Sequence, residues 1–330
     1  MKNVRLRSAD VMSKVITNPI NNIPKNEKSH VLGWSLVWKE LLGASIDHRC
    51  TPQILNADTV YVDHGANFGG TLNLFGGATK DIFDRINILL ACKNIVSLDW
   101  DMPDYGAMLK KRIGANTTCE EITEKWCDMV SKRISSITSL KHKDLKTNGI
   151  TFGDSHTIAF SGVGDSVYRT DGKTLFGSLR KGLREELDRR EERLTLCLGS
   201  IDIRHHILRH NDFDLKETIK EYVKQGNELS DDVWYAAPVP VEFEGRRIPK
   251  SGFYKKTPFY GSWKCRWNLT NKFINILHDE SKGKVVVPPK EWYTMDPEKY
   301  AKTYMEHGSS FHIAPPYYRR NDWGVSPFGT

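Results

Sequence analysis

Apolar residues recur along this chain in two periods. Trp34, Val37, Trp38 and Leu41 fall at i, i+3, i+4 and i+7, which predicts a helix over residues 31–42. Ile82, Phe83, Ile86, Leu89 and Leu90 share one helical face within residues 80–92. Ile122, Trp126, Met129, Val130 and Ile134 form the inner face of a helix predicted to run on to about Leu140. Residues 175–187 and 213–225 read as two more helices. Between these stand short β-branched and apolar runs at 59–62, 95–98, 150–152, 194–198 and 233–241, the mark of buried strands. Residues 1 to 30 are polar and broken by Pro19 and Pro24, which predicts an extended arm or loop.

Strand, glycine-rich loop, helix and strand follow one another in the first half, a βαβ-like order. The chain therefore reads as α/β throughout, with parallel strands. The polar segment 141–148 is the best place to divide it, giving an N-terminal α/β domain at 1–147 and a second domain at 148–330.

Composition narrows the class. With 330 residues and ordinary apolar and charged fractions, the chain has enough material for two packed domains. It has no apolar run long enough to cross a bilayer and no apolar stretch behind its charged start, so a cytoplasmic protein without a membrane partner is expected. Six scattered cysteines without a Cys-x-x-Cys pair suggest reduced thiols rather than a zinc site. The net charge of +7 permits a nucleic acid or another anionic partner without requiring one. Charges alternate in sign between Arg180 and Arg193, as on a solvated helix.

Two stretches invite a ligand. The glycines Gly65, Gly69, Gly70, Gly76 and Gly77 follow a strand but match neither the dinucleotide fingerprint nor the P-loop. Residues 244–267 interleave Arg246, Arg247, Lys250, Lys255, Lys256, Lys264 and Arg266 with Phe253, Tyr254, Phe259, Tyr260, Trp263 and Trp267. That mixture suits a sugar or a single strand of nucleic acid, and equally a surface loop clamped by its own rings. Asp202, His206 and His210 have the spacing of one helical face, which a metal could use, but surface or hydrogen-bonded histidines account for them better, and no metal is expected.

The centre of the chain carries the sharper chemistry. Residues 150–157 read Ile-Thr-Phe-Gly-Asp-Ser-His-Thr, a strand end running into a turn, with Ser155 where the next helix is expected to begin. A helix N-terminus there would offer N–H groups and a favourable dipole to a developing oxyanion. A second strand ends in Gly199-Ser-Ile-Asp202, and a late histidine stands in Ser309-Ser-Phe-His312-Ile-Ala-Pro315. A serine needs a base to be nucleophilic at neutral pH, and His312 is the candidate.

In kind and order these three elements resemble the SGNH, or GDSL-like, hydrolase family over residues 148–318. The resemblance implies a flavodoxin-like parallel-sheet domain, preceded here by the other α/β domain, and hydrolysis of an acyl ester or transfer from it, with no cofactor. It implies Ser155 as nucleophile in a turn with Asp154, His312 as base, and Gly199 with the Ser155 backbone around the oxyanion. Where the family has Gly-x-Asn-Asp this chain has Ile201 before Asp202, and Ile201 cannot donate. Arg204 is the nearest side chain able to replace that donor. Where the family has Asp-x-x-His, this chain has Ser309, so another acid must orient His312 or the site works as a dyad. The family's second glycine falls at Gly162 or Gly164. His156, Gly164, Arg247, Tyr260 and Ser309 are expected on the substrate side, facing a small molecule or a glycan.

The first half also resembles phage DNA glucosyltransferases, in Asn67-Phe-Gly-Gly70 and the acidic strand end at Asp99. That resemblance implies an alternative, a glycosyltransferase with two Rossmann-like domains in which residues 153–156 meet a donor phosphate. A third reading is a binding protein on a degenerate hydrolase fold.

Overall fold

A computed structural model of the chain describes residues 13–17, 35, 38–47, 50–62, 79–98, 124–140, 148–162, 165–170, 172–187, 192–210, 213–241, 260–306, 310–319 and 323. They fall into two compact units that part between Leu145 and Lys146.

The first unit holds a five-stranded sheet of β1 (Lys14–Thr17), β2 (Ser45–Asp47), β3 (Thr59–Val62), β4 (Ile95–Leu98) and β5 (Thr138–Leu140), in the order β2-β1-β3-β4-β5 with every pairing parallel. Two of its helices are α1 (Thr79–Leu90) and α2 (Glu124–Ile134), tied by a Trp126 Nε1–H bond to Asn87 Oδ1 of 3.0 Å. Val15, Ile54, Val60, Val62, Leu89 and Ile95 build one core cluster. Three expectations are corrected. Residues 14–17, expected in an arm, form a sheet strand, because Val15 and Ile16 are wholly buried. The helix expected to reach Leu140 ends at Ile134, and β5 follows it. Cys127 and Val130 form the buried face of α2, while Met129, expected inside, is 54% exposed.

The second unit repeats the plan. Strands β6 (Gly149–Gly153), β7 (Asp165–Arg169), β8 (Arg193–Cys197), β9 (Val233–Ala236) and β10 (Val285–Val286) pair in parallel in the order β10-β9-β8-β6-β7. Every residue of β6 is buried, as for a strand covered on both faces. Helices α3 (Thr157–Phe160), α4 (Leu175–Lys181), α5 (Leu183–Glu186), α6 (Leu215–Asn227), α7 (Trp263–Glu280), α8 (Lys290–Thr294) and α9 (Pro297–Tyr304) follow in chain order. The helix expected over 175–187 is broken at Gly182, whose φ of +97° suits glycine. Residues 263–267, read as the end of either a ligand-binding stretch or a clamped surface loop, open α7, where the Ser262 hydroxyl accepts the Cys265 N–H.

In each unit the first strand lies between the second and the third, so the chain reverses its direction of travel at that point. Ligands of open parallel sheets bind at the carboxyl ends of the strands flanking such a switch point. In the second unit those strands are β6 and β8. Among the described residues no helix is long and apolar enough to cross a membrane. Cys50, Cys92, Cys127 and Cys197 are buried free thiols, and Cys265 is exposed.

Candidate active site

The turn after β6 is shaped by a close approach of backbone. Gly153 has a φ of +155°, and a Cβ there would overlap the Cys197 carbonyl at the end of β8. That carbonyl accepts the Asp154 N–H at 2.9 Å, while the Gly153 carbonyl accepts the Thr170 N–H at 2.9 Å. The next three residues, Asp154, Ser155 and His156, are buried at the carboxyl edge. The expected helix N-terminus at Ser155 is corrected: α3 is a single turn beginning at Thr157, with His156 in its cap position and no side-chain cap. A single turn sums few peptide dipoles, so any electrophilic help comes from individual N–H groups.

Asp154 Oδ1 accepts the His156 N–H at 2.8 Å and lies 3.2 Å from its Nδ1.

The turn after β8 stands opposite. Gly199 has a φ of +106°, and a Cβ on it would come within 2.7 Å of the Phe273 ring. Ser200 Oγ is 3.2 Å from His156 Nδ1, which links the two turns through side chains. Arg204 Nη1 donates to the Ser200 carbonyl at 2.7 Å and also to the Ser200 hydroxyl. Arg204, expected at the oxyanion, thus braces its own turn, where residues 202–206 run as a π-helix. Asp202, also expected at the site, accepts the N–H groups of Leu175 (2.7 Å) and Phe176 (3.2 Å) at the start of α4. Burial pushes its carboxyl up to about 6, against the downward pull of those two donors. With both its oxygens so engaged, Asp202 serves the fold, and the candidate metal set with His206 and His210 loses its carboxylate.

His312 stands on a loop that follows α9. Met305 and Ile313 form an antiparallel bridge, the Ala314 N–H donates to the Tyr304 carbonyl at 2.8 Å, and the Glu306 N–H donates to the His312 carbonyl at 3.1 Å. The loop is docked onto the first turn by His156, whose Nε2 lies 2.8 Å from the Phe311 carbonyl. The rings of His156 and His312 are 5.3 Å apart. On its other side, His312 Nδ1 is 3.6 Å from Glu306 Oε2. The same carboxylate oxygen accepts the Ser310 hydroxyl at 3.1 Å, and Ser310 Oγ accepts the His312 N–H at 3.0 Å. Glu306 was not among the expected site residues. It supplies, from six positions upstream, the carboxylate that the expected Asp-x-x-His spacing lacks.

The structure therefore brings Asp154, Ser155, His156, Ser200 and Arg204 to one edge, with His312 and Glu306 on the adjoining loop. Tyr260 lies 46% exposed, with Arg209 4.9 Å over its ring, and its N–H donates to the Arg204 carbonyl. Arg266 is buried, and its Nη1 donates to the Gly261 carbonyl at 2.7 Å, which takes it out of the expected basic surface. Gly164, Arg247, Ser309, the glycine-rich loop and Asp99 lie outside the described residues.

Comparison with protein-family models, curated proteins and solved structures gives no match.

Proposed function

We propose that the second unit is a serine hydrolase or acyltransferase of the SGNH type on a flavodoxin-like sheet, acting on an ester of a carbohydrate or of a nucleic-acid-linked group. One observation carries this reading: His156, next to Ser155 at the β6–β8 switch point, bonds the Phe311 carbonyl and sets its ring 5.3 Å from that of His312. Strand order, turn and late histidine together support it.

In this reading the Ser155 hydroxyl attacks the ester carbonyl carbon and its proton passes to His312. The carbonyl oxygen becomes an oxyanion and takes hydrogen bonds from the main-chain N–H groups of Ser155 and Gly199. Collapse of this intermediate breaks the ester bond, and His312 protonates the departing alkoxide. Water, or an acceptor hydroxyl, then gives a proton to His312 and takes the acyl group from Ser155, and His312 returns that proton to the departing Ser155 oxygen. Glu306 stabilises the imidazolium that forms twice in this cycle. The exposed Tyr260 ring at the same edge favours a sugar over a lipid as the alcohol part. The test is release of p-nitrophenol from p-nitrophenyl acetate and of acetate from acetylated oligosaccharides, with Ser155→Ala as control. Release that is equal in the variant refutes the reading.

A second reading is a glycosyltransferase with two Rossmann-like units, favoured by the same parallel strand order in both. Its test is a rise in Tm with a nucleotide sugar, since a ligand that binds only the folded state stabilises it.

A further inference from the structure

The ring of His156 makes contacts in two directions. Its Nδ1 is 3.2 Å from both Asp154 Oδ1 and Ser200 Oγ, and its Nε2 is 2.8 Å from the Phe311 carbonyl oxygen. A carbonyl oxygen only accepts, so the proton in that last bond belongs to Nε2. Asp154 Oδ1 accepts the main-chain N–H of His156, which fixes the backbone that carries the ring, and the Ser200 hydroxyl can donate to Nδ1. The ring is 3% exposed, so water competes little with these bonds. Phe311 immediately precedes His312 and has Arg204 5.9 Å over its ring. A bond to the Phe311 carbonyl thus sets the peptide plane from which the His312 side chain departs.

We propose that His156 is a positioning residue, which holds the loop carrying His312 in register with the Ser155 turn through the Nε2–H bond to Phe311. It rests on the hydrolase reading for its catalytic consequence, though the tie itself does not. His156 takes no proton from substrate in this scheme. A one-bond error in that register would move His312 by about 1 Å, enough to cost on the order of a hundredfold in a reaction that depends on alignment.

Two variants separate the bonds. In His156→Asn the amide reaches the place of Nδ1 but falls short of Phe311, whereas in His156→Gln the amide N–H reaches the place of Nε2. Two readouts on the full-length chain are used. Amide hydrogen exchange of residues 310–314 reports the tie, and the rate of labelling by a fluorophosphonate reports its consequence. His156→Asn should speed exchange there at least tenfold and slow labelling at least tenfold, while His156→Gln stays within about threefold of wild type in both. Unchanged exchange in His156→Asn, or equal losses in both variants, overturns the proposal. Faster exchange with unchanged labelling overturns its catalytic part. A wild-type protein that takes no label, with exchange behaving as stated, would instead sink the hydrolase reading and leave the tie standing.

Discussion

Nδ1 of His312 faces the carboxylate of Glu306 across 3.6 Å, and Ser310 bonds the same carboxylate oxygen at 3.1 Å. A carboxylate beside Nδ1 leaves Nε2 as the basic nitrogen and stabilises the ring when it is protonated. Glu306→Gln keeps the shape and removes the charge. Its kcat/KM on p-nitrophenyl acetate should fall about tenfold or more with Tm little changed. Turnover equal to wild type would show that Glu306 does not serve His312.

Gly153→Ala probes the backbone approach that shapes the Ser155 turn. Its Cβ would overlap the Cys197 carbonyl at the end of β8, and its φ of +155° is costly for alanine. Neither β6 nor β8 moves without breaking the paired sheet. The variant should lose about 3 kcal/mol or more in denaturant unfolding, or fail to fold. A loss below about 1 kcal/mol would mean that the two strand ends part easily.

Asp202 should leave a signature in the pH dependence of stability. Its carboxyl titrates near 6 in the folded protein and near 3.8 in the unfolded chain. Between those values the folded state holds a proton that the unfolded state has released, so stability falls as pH rises from about 4 to 6. That difference is worth on the order of 3 kcal/mol. Asp202→Asn removes this slope, so the stability of wild type relative to the variant should decline across that window. A constant difference between pH 4 and 7 would contradict the assignment.

Arg204→Met should destabilise, because the buried guanidinium bonds both the carbonyl and the hydroxyl of Ser200. Leaving that carbonyl unsatisfied costs about 1–3 kcal/mol, visible as a lower Tm. An unchanged Tm with lost turnover would return Arg204 to the oxyanion.

Much of the fold was legible because parallel strands buried on both faces are written as apolar runs, as in residues 150–152 and 194–198. Lys14–Thr17 escaped because it has only two apolar residues amid polar ones, and its burial comes from strands about thirty and forty-five residues away. Asp165–Arg169 escaped likewise, its one aliphatic residue giving no period to read. At the candidate site, the turns that carry Ser155 and His312 were legible because glycine, aspartate and proline mark them. Glu306 was not, because the bridge between Met305 and Ile313, and no sequence spacing, sets its carboxylate against His312. The main-chain bonds of Asp202 and Arg204 were not legible for the complementary reason: a charged residue beside a turn looks the same in sequence whether it meets substrate or main chain.

The central claim is that Ser155 is an activated nucleophile, and a fluorophosphonate tests it most directly, since it bonds covalently only to a serine deprotonated by its neighbours. After labelling of the folded protein and proteolysis, mass spectrometry should find the phosphonyl group on Ser155, with no label in Ser155→Ala and at least tenfold slower labelling in His312→Ala. Label on Ser200 instead, or a wild-type protein that takes none, would contradict the account.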